Sequence, residues 1–249
     1  MKKHIRIIHP SIGAIQYSGY FRHLENDDLK LSAVNVTSGP DTLASRFEVA
    51  LAVPDTCAKA IEAEHEGVDA LVIDCMGDVG CAESRECVSI PILGPYETSL
   101  HVASLLSHKF AVVTMVDAVV GVMESAAKQY GVADKLSSIR AINMSVEEMH
   151  TDTVRRNQRL VEVSQQLIDE EGVGAIILGC AEMRGAETAV SESLLESGFN
   201  VPVIEPLRTT ILIAAALVEA RLAHSKTSFP FPQKNRIVGY DSLNALINK

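Results

Sequence analysis

Short apolar runs alternate along the chain with longer segments in which apolar positions recur every three or four residues. The short runs are rich in β-branched and aliphatic residues, as buried strands are, and the longer segments are typical of amphipathic helices. This alternation predicts βα units that build parallel sheets, and therefore an α/β fold. The predicted strands are 4–8, 29–36, 69–74, 91–93, 109–114, 137–143, 174–179 and 202–204. The predicted helices are 14–25, 41–65, 80–88, 97–107, 117–130, 147–171, 183–197 and 206–224, and Pro54 is expected to break or kink the second.

The two halves of the chain repeat the same pattern. Equivalent runs lie 105 positions apart at first and 111 positions apart further on: 4–9 and 109–114, 67–75 and 172–180, and 90–93 and 201–204. Duplication of a half-domain usually gives two lobes around a pseudo-twofold axis. We therefore predict two similar lobes, each a mostly parallel sheet flanked by helices, with the active site between them.

The repeat also sets the predicted domain boundaries. Residues 1–97 form the first lobe, which the closing helix 206–224 completes, and residues 98–205 form the second. The stretch 225–249 lies outside the repeat and is treated as a C-terminal extension. It either covers a sheet edge or contacts another subunit, and the sequence does not distinguish these roles.

Composition narrows the class of partner. The formal charge of −10, without a cluster of basic residues, argues against nucleic acid, and the 4% aromatic content argues against a stacking surface for bases. No apolar run is long enough to span a membrane. Five cysteines at irregular spacings do not resemble a disulfide framework and indicate a reducing compartment. We expect a cytoplasmic protein that acts on a small molecule.

Two cysteines occupy corresponding positions of the repeat, Cys75 and Cys180, each where an apolar strand ends. In such strand-to-helix turns, free backbone N–H groups and the helix dipole lower the pKa of a thiol from about 8.5 and bind anions. If both sulfurs flank one carbon, one can remove a proton while the other delivers a proton to the opposite face. The pair therefore indicates inversion of a stereocentre without a cofactor or a metal.

The other three cysteines, Cys57, Cys81 and Cys87, have no such equivalence and are interpreted as structural. A zinc site that combines Cys75 with Cys81 and Cys87 lacks the close spacing of structural zinc ligands.

Further polar candidates follow the other strands. Thr114 stands at the repeat position of His9, and either contacts a substrate or caps the helix that begins near Asp117. His9 is either an additional acid or base or, more commonly for such a residue, a hydrogen-bonded structural group. Ser11 and Gly39 follow the first and second strands and complete this group of candidates.

Acidic residues surround both cysteines. Glu182 lies where a carboxylate favours the following helix but repels a bound anion, so it either turns away or contacts a substrate N–H. Asp74 and Asp78 bracket Cys75, where each accepts a hydrogen bond, orders the loop or faces solvent.

In the segments around the two cysteines, the chain resembles the aspartate/glutamate racemase superfamily, and within it the hydantoin racemases. The resemblance rests on Cys75-Met76-Gly77-Asp78-Val79-Gly80, which is similar to Cys-Phe-Gly-Asp-Pro-Gly, and on Leu178-Gly179-Cys180-Ala181-Glu182-Met183, which is similar to Leu-Gly-Cys-Ala-Gly-Met. Supporting stretches are 39–43 and 112–114. The resemblance extends from the first strand to about residue 222.

The resemblance implies a cofactor-independent, two-thiol mechanism in a homo-oligomer. It implies that Cys75 and Cys180 are the acid/base pair, and that substrate contacts come from the loops that hold Gly77, Asp78, Thr114 and Ala181. Two departures fall at the implied pocket. His9-Pro10-Ser11-Ile12 replaces the usual Asn-Pro-Asn-Thr, and Glu182 replaces a glycine.

The leading hypothesis is a racemase or epimerase that acts at a carbon next to a carbonyl, in a 5-substituted hydantoin or a related small amide or amino acid. The alternatives are a cis–trans isomerase or a decarboxylase of a small dicarboxylate, with one thiol acting as nucleophile in the isomerase. A binding protein that keeps the cleft without chemistry is a further alternative.

Overall fold

The computed structural model describes residues 2–13, 20–43, 45–233 and 238–247 of the 249-residue chain. The chain folds into two compact units, Met1–Pro95 with Thr210–Lys249, and Tyr96–Thr209. The stretch 225–249, which the sequence analysis sets apart as an extension, belongs to the first unit.

The first unit contains a four-stranded parallel sheet. Its strands are β1 Lys3–His9, β2 Leu29–Asn35, β3 Ala70–Ile73 and β4 Ile92–Leu93, in the order β2-β1-β3-β4. Helices α1 Arg46–His65 and α2 Cys81–Cys87 connect them, and a short 3-10 helix occupies Tyr20–Leu24. The central strand β3 is buried along its whole length, as expected of a parallel strand that helices cover.

The second unit repeats this arrangement. Its strands are β5 Phe110–Thr114, β6 Leu136–Ala141, β7 Ile176–Leu178 and β8 Val203–Ile204, in the order β6-β5-β7-β8, and all are parallel. Its helices are α3 Pro95–Leu106, α4 Val120–Gln129, α5 Val146–Thr151, α6 Thr153–Glu171 and α7 Glu187–Glu196, and α8 Pro206–Glu219 leads back to the first unit. Short 3-10 helices occupy Asp117–Val119 and Ala181–Met183. The two lobes of the predicted α/β fold are thus confirmed, each built on the same strand order.

Each unit has its own apolar core between sheet and helices. In the first, Ile8, Leu71 and Ile73 pack with Ile61 of α1 and Val88 after α2. In the second, the core residues from strands and helices are Ala111, Val113, Ile176, Leu178, Leu160, Val163 and Val190. Fully burying a side chain of this kind contributes about 1.5–3 kcal/mol to the free energy of folding. Burial of these apolar side chains is therefore the main stabilisation of each unit.

Of the break or kink predicted at Pro54, the break is wrong, because α1 continues through this residue. A proline removes the N–H that would bond the carbonyl four residues earlier, which here belongs to Ala50. Ala50 is exposed, so water can serve that carbonyl. The helix begins instead at Ser45, whose side chain accepts a hydrogen bond from the N–H of Glu48.

The predicted helix 147–171 is interrupted at Asp152. This residue leaves the helical conformation, with φ −127° and ψ 74°, and its side chain accepts a hydrogen bond from the N–H of Arg155. Asp152 therefore ends α5 and caps α6, a role that aspartate fills more readily than a helix interior.

Helix α9, Asp241–Ile247, was not predicted and lies in the C-terminal stretch. It packs on α1, and Leu243, Leu246 and Ile247 contact the core of the first unit. In the described part of the chain this stretch therefore covers helices of its own unit. The part of the predicted helix 14–25 that spans residues 14–19 lies outside the described residues. Among the described helices, none combines the length and the apolar character needed to cross a bilayer.

Candidate active site

Cys75 lies at the carboxyl end of the buried strand β3. The N–H of Asp74 donates to the carbonyl of Ile8 at 2.9 Å, which continues the pairing of β3 with β1 by one residue. The next residue, Cys75, leaves the sheet and is half-buried. In parallel sheets this is the edge at which ligands bind.

The turn after β3 directs backbone N–H groups at Cys75. The N–H of Gly77 donates to the Cys75 sulfur at 3.4 Å, and the N–H of Asp78 donates to the Cys75 carbonyl at 2.9 Å. Helix α2 begins only at Cys81, whose N–H bonds the carbonyl of Asp78. The Gly77 donor thus belongs to the tight turn between β3 and α2, as expected of a strand-to-helix turn.

Asp78 is buried rather than exposed to solvent, and it packs on the end of β4. It has a positive φ of 48°, a conformation that aspartate tolerates better than most residues. A Cβ on Gly94 would lie 2.2 Å from the Asp78 Oδ1 and 2.7 Å from its Cβ. Glycine at position 94 therefore leaves the space that the Asp78 side chain fills.

His9, Ser11 and Gly39 come together at the carboxyl ends of β1 and β2. The His9 Nε2 is 2.8 Å from the Ser11 Oγ, and its Nδ1 is 3.6 Å from Oδ2 of the buried Asp74. The N–H of Ile12 donates to the carbonyl of Pro40, which holds the loop of Ser11 against the loop of Gly39. His9, Ser11 and Gly39 thus lie at the same edge of the sheet as Asp74, the residue before Cys75.

Cys180 has the same position in the second unit, after the buried strand β7. Its thiol donates to the Met115 thioether, with the sulfurs 3.7 Å apart, and Met115 follows β5. A short 3-10 helix comes next, and α7 begins seven residues after the cysteine, at Glu187. The expected helix terminus is thus farther from this thiol than the sequence implied.

Thr114 is fully buried, and its hydroxyl donates to the carbonyl of Gly179 at 3.3 Å. The predicted cap for the helix near Asp117 is wrong, because that 3-10 helix starts after Val116 and has no side-chain cap. A Cβ on Gly179 would lie 2.9 Å from the Thr114 Cβ. The Thr114–Gly179 contact therefore holds the carboxyl ends of β5 and β7 close together.

Glu182 turns toward α5. Its Oε2 is 2.5 Å from the His150 Nε2, and its Oε1 is 3.9 Å from the Arg184 Nη2. Arg184 in turn donates through Nε to the carbonyl of Ala181 at 2.8 Å. The Glu182 carboxylate, two residues after Cys180, is thus partnered by His150 and Arg184 of its own unit.

A buried carboxyl group, Glu205, follows β8. It is 4% exposed and accepts hydrogen bonds from the N–H groups of Leu207 at 3.2 Å and Arg208 at 2.5 Å, at the start of α8. The pKa of Glu205 is raised to about 7, mainly by burial and also by the nearby Glu187, although the two N–H donors and Arg184 act in the opposite direction. At neutral pH this group is poised between its two protonation states.

Three residues at this edge were not predicted from the sequence: His150, Met115 and Glu205. His150 lies 32 positions before Glu182, and the pattern of the chain contains nothing that pairs them. Glu205 could have been identified, since it stands at the repeat position of Gly94 next to a predicted strand end. In the described part of the chain, no three His, Cys, Asp or Glu side chains are grouped to hold a metal ion.

Sequence comparison with known proteins points to one family. A family model described as Asp/Glu/Hydantoin racemase matches residues 5–214. The hydantoin racemase of Pseudomonas sp. (strain NS671) is 30% identical over 239 residues, which are 94% of this chain and 94% of that protein. The hydantoin racemase of Rhizobium meliloti is 28% identical over 95% of this chain and 98% of its own length.

Solved structures show the same fold. The allantoin racemase from Klebsiella pneumoniae superposes with a TM-score of 0.88 at 25% identity, covering 98% of this chain and 99% of that one. The glutamate racemase RacE1 from Bacillus anthracis has a TM-score of 0.62 at 18% identity, over 91% of each chain, and supports the fold alone.

Proposed function

Since the chain belongs to the Asp/Glu/hydantoin racemase family and is an isomerase of the racemase type, we propose that it inverts a carbon next to a carbonyl in a cyclic or open ureide. The substrates named for its relatives, hydantoins and allantoin, both carry such a carbon between a carbonyl and a nitrogen. We propose that Cys75 and Cys180 are the two acid/base groups and that no cofactor is required.

The observation that carries the proposal is the equivalence of the two cysteines. Each follows the third strand of a parallel sheet, β3 in the order β2-β1-β3-β4 and β7 in the order β6-β5-β7-β8. Both are half-buried at the edge where parallel sheets bind ligands. Coincidence of a reactive side chain at one topological position in both units favours a shared chemical role over packing.

The proposed reaction needs only proton transfers. One cysteine, as thiolate, removes the proton from the substrate carbon, and the negative charge passes to the adjacent carbonyl oxygen. The other cysteine, as thiol, then delivers its proton to the opposite face of the same carbon. The adjacent carbonyl makes the carbon acid strong enough for this step, and backbone N–H groups of the cysteine turns supply donors for the developing oxyanion.

The turn around Cys75 supports its role as a thiolate. A thiolate gains more from an N–H donor than a thiol does, so the Gly77 N–H favours the charged form that abstracts a proton. On the other side, the Cys180 thiol donates a hydrogen bond to the Met115 thioether, a contact that suits the protonated form of this group. The two sulfurs thus have different polar partners, a backbone N–H at Cys75 and a thioether at Cys180.

The test is proton NMR in deuterated water on single enantiomers of 5-substituted hydantoins, allantoin, aspartate and glutamate, together with optical rotation. We expect enzyme-dependent loss of the proton signal and decay of rotation with a ureide. The single variants Cys75→Ser and Cys180→Ser should lose racemisation by about 10²–10⁴-fold. Each should keep deuterium exchange without inversion for one enantiomer, and the two variants should keep opposite enantiomers.

Cys87→Ser is the matched control, since this half-buried thiol is outside the proposed acid/base pair. It should racemise like the unsubstituted chain. Racemisation that survives in both active-site variants would remove the thiols from the mechanism. Turnover of the amino acids but not the ureides would overturn the substrate class and leave the two-thiol chemistry standing.

A further inference from the structure

Two cysteines that the proposed reaction does not use, Cys57 and Cys87, lie against each other in the first unit. The Ser84 Oγ is 3.5 Å from the Cys57 sulfur, which places this face of α2 on the middle of α1. Ser84 and Cys87 are three residues apart on α2 and therefore share that face. Ile61, one helical turn after Cys57 on α1, lines the same cavity as Cys87, so Cys57 faces the part of α2 that carries both Ser84 and Cys87.

The pair adjoins a cavity of about 260 Å³. Cys87 lines it together with Ile61, which is one helical turn after Cys57 on α1, and with Glu64, His65 and Phe231. Cys57 itself is buried behind this wall, whereas Cys87 is half-buried and reaches the cavity. A small polar reagent can therefore approach the Cys87 sulfur, and Cys57 is placed to attack it from the protein side.

The charges around the pair distinguish the two sulfurs. Interaction with the Cys57 side chain lowers the pKa of Cys87, and the same interaction raises the pKa of Cys57. The Lys226 ammonium, which donates to the carbonyls of Arg85 and Val88 on either side of Cys87, also favours the Cys87 thiolate. Burial and the neighbouring Glu86 oppose this, and the net direction for Cys87 is downward.

We propose that Cys57 and Cys87 are a redox-active dithiol, which a hydroperoxide oxidises to an intramolecular disulfide between α1 and α2. This is a modification site separate from the racemase chemistry, and it stands whether or not Cys75 and Cys180 act on substrate. Cys87 is the attacking sulfur because it reaches the cavity, and Cys57 is the resolving sulfur because it contacts Cys87.

The reaction balances in two steps. The Cys87 thiol gives up its proton, and its thiolate attacks one oxygen of hydrogen peroxide. The O–O bond breaks, and the leaving hydroxide takes that proton as water, so that Cys87 becomes a sulfenic acid. The Cys57 sulfur then attacks the Cys87 sulfur, the S–O bond breaks, and the leaving hydroxide takes the Cys57 proton as water. Two thiols are oxidised, and one peroxide is reduced to two waters.

The test uses a chain with Cys75→Ser and Cys180→Ser, so that three of the five thiols remain. The native protein is treated with hydrogen peroxide, denatured, alkylated with iodoacetamide and digested with trypsin. Cleavage after Arg46, Lys59, Arg85 and Lys109 separates Cys57 on peptide 47–59 from Cys87 on peptide 86–109, with Cys81 on the peptide between them. We expect the free thiols to fall from three to one, with peptides 47–59 and 86–109 joined until dithiothreitol is added.

The same peptide map on the unsubstituted chain gives this readout without dependence on the folding of the double variant. In a Cys57→Ala chain, Cys87 should stop at the sulfenic acid and react with dimedone. A Cys81→Ala chain should form the same linked peptides. Recovery of both Cys57 and Cys87 as alkylated thiols, or a link that involves Cys81 instead, would overturn the proposal.

Discussion

The two units share one backbone plan but fill its ligand-binding edge with different side chains. His9 and Thr114 occupy the same repeat position, and so do Asp74 and Gly179. In the first unit His9 faces a buried carboxylate at 3.6 Å, whereas in the second the Thr114 hydroxyl bonds the Gly179 carbonyl at 3.3 Å. The first half-site therefore places a histidine beside an acidic side chain at this point, whereas a hydrogen bond between a hydroxyl and a backbone carbonyl closes the second.

The ends of β4 and β8 are more alike than the sequence suggests. Each has a buried carboxyl group beside it, but the two groups come from different positions of the repeat. Gly94 after β4 and Glu205 after β8 are equivalent by sequence. In the first unit Asp78 packs over Gly94 from the cysteine turn, and in the second Glu205 itself supplies the carboxyl group. Both units thus bury an acid at this strand end, although only the tertiary structure reveals the match.

The largest expected effect concerns this second acid. Burial raises the pKa of Glu205 from 4.5 to about 7 in the folded protein, so folding favours its protonated form. That stabilisation is complete below pH 4.5 and is lost as the pH rises through 7. Relative to Glu205→Gln, the unsubstituted chain should lose about 3 kcal/mol of unfolding free energy across this window. Urea unfolding of both chains at pH 4.5, 6 and 8 measures the difference.

Glu171→Gln is the control of opposite sign. Hydrogen bonds from Ser137, Ser138 and Arg140 outweigh desolvation and hold the pKa of Glu171 below its ordinary value. Its contribution to stability is present above pH 4.5 and is lost as the pH falls. If the unfolding free energies of Glu205→Gln and of the unsubstituted chain change in parallel with pH, Glu205 keeps its ordinary pKa in the folded protein. That result would contradict the prediction.

The next effect tests the closed contact of the second unit. Gly179→Ala places a Cβ 2.8 Å from the Val112 Cγ1 and 3.0 Å from the Thr114 Cα, so β5 and β7 must separate. Overpacking of this kind costs about 1–3 kcal/mol of unfolding free energy. Gly121→Ala in α4 is the matched control, since nothing lies within 4 Å of its added Cβ. Denaturant unfolding should show a gain of about 0.5–1 kcal/mol for that control, and equal effects at both sites would contradict the close contact.

The smallest effect concerns the turns that follow the two cysteines. Glu182 stands at the repeat position of Gly77, and its ion pair with His150 has no counterpart at that glycine. Because His150 is 55% exposed, a double-mutant cycle of Glu182→Gln and His150→Gln should give a coupling energy of only about 0.2–1 kcal/mol. The exposed pair Arg159–Glu162 provides a reference cycle. A coupling energy well above that of the reference pair would contradict this expectation. It would mean that the Glu182–His150 contact contributes substantially to holding the turn after Cys180.

Much of the fold follows from local pattern. All eight predicted strands are present, with ends that differ from prediction by at most two residues. Buried parallel strands such as β3 and β7 are unbroken apolar runs because both faces are covered, and this is readable from neighbouring residues alone. The errors fall on helices, where Pro54 is accommodated and Asp152 divides one predicted helix into two. The first outcome depends on whether water can reach the Ala50 carbonyl, and the second on whether the Asp152 side chain can cap a helix. The spacing of apolar residues predicts neither.

The candidate site divides in the same way. The sequence alone singled out Cys75 and Cys180 as candidates, because a repeated position at a strand end is a feature of the linear sequence. The partners of those residues came only from the folded chain: Met115 beside Cys180, His150 beside Glu182, Asp78 over Gly94, and Cys57 against Cys87. Secondary structure is set by residues within a few positions of each other, whereas these contacts join segments up to 65 positions apart. Their geometry is decided by how helices pack on the sheets, and packing is a property of the whole unit.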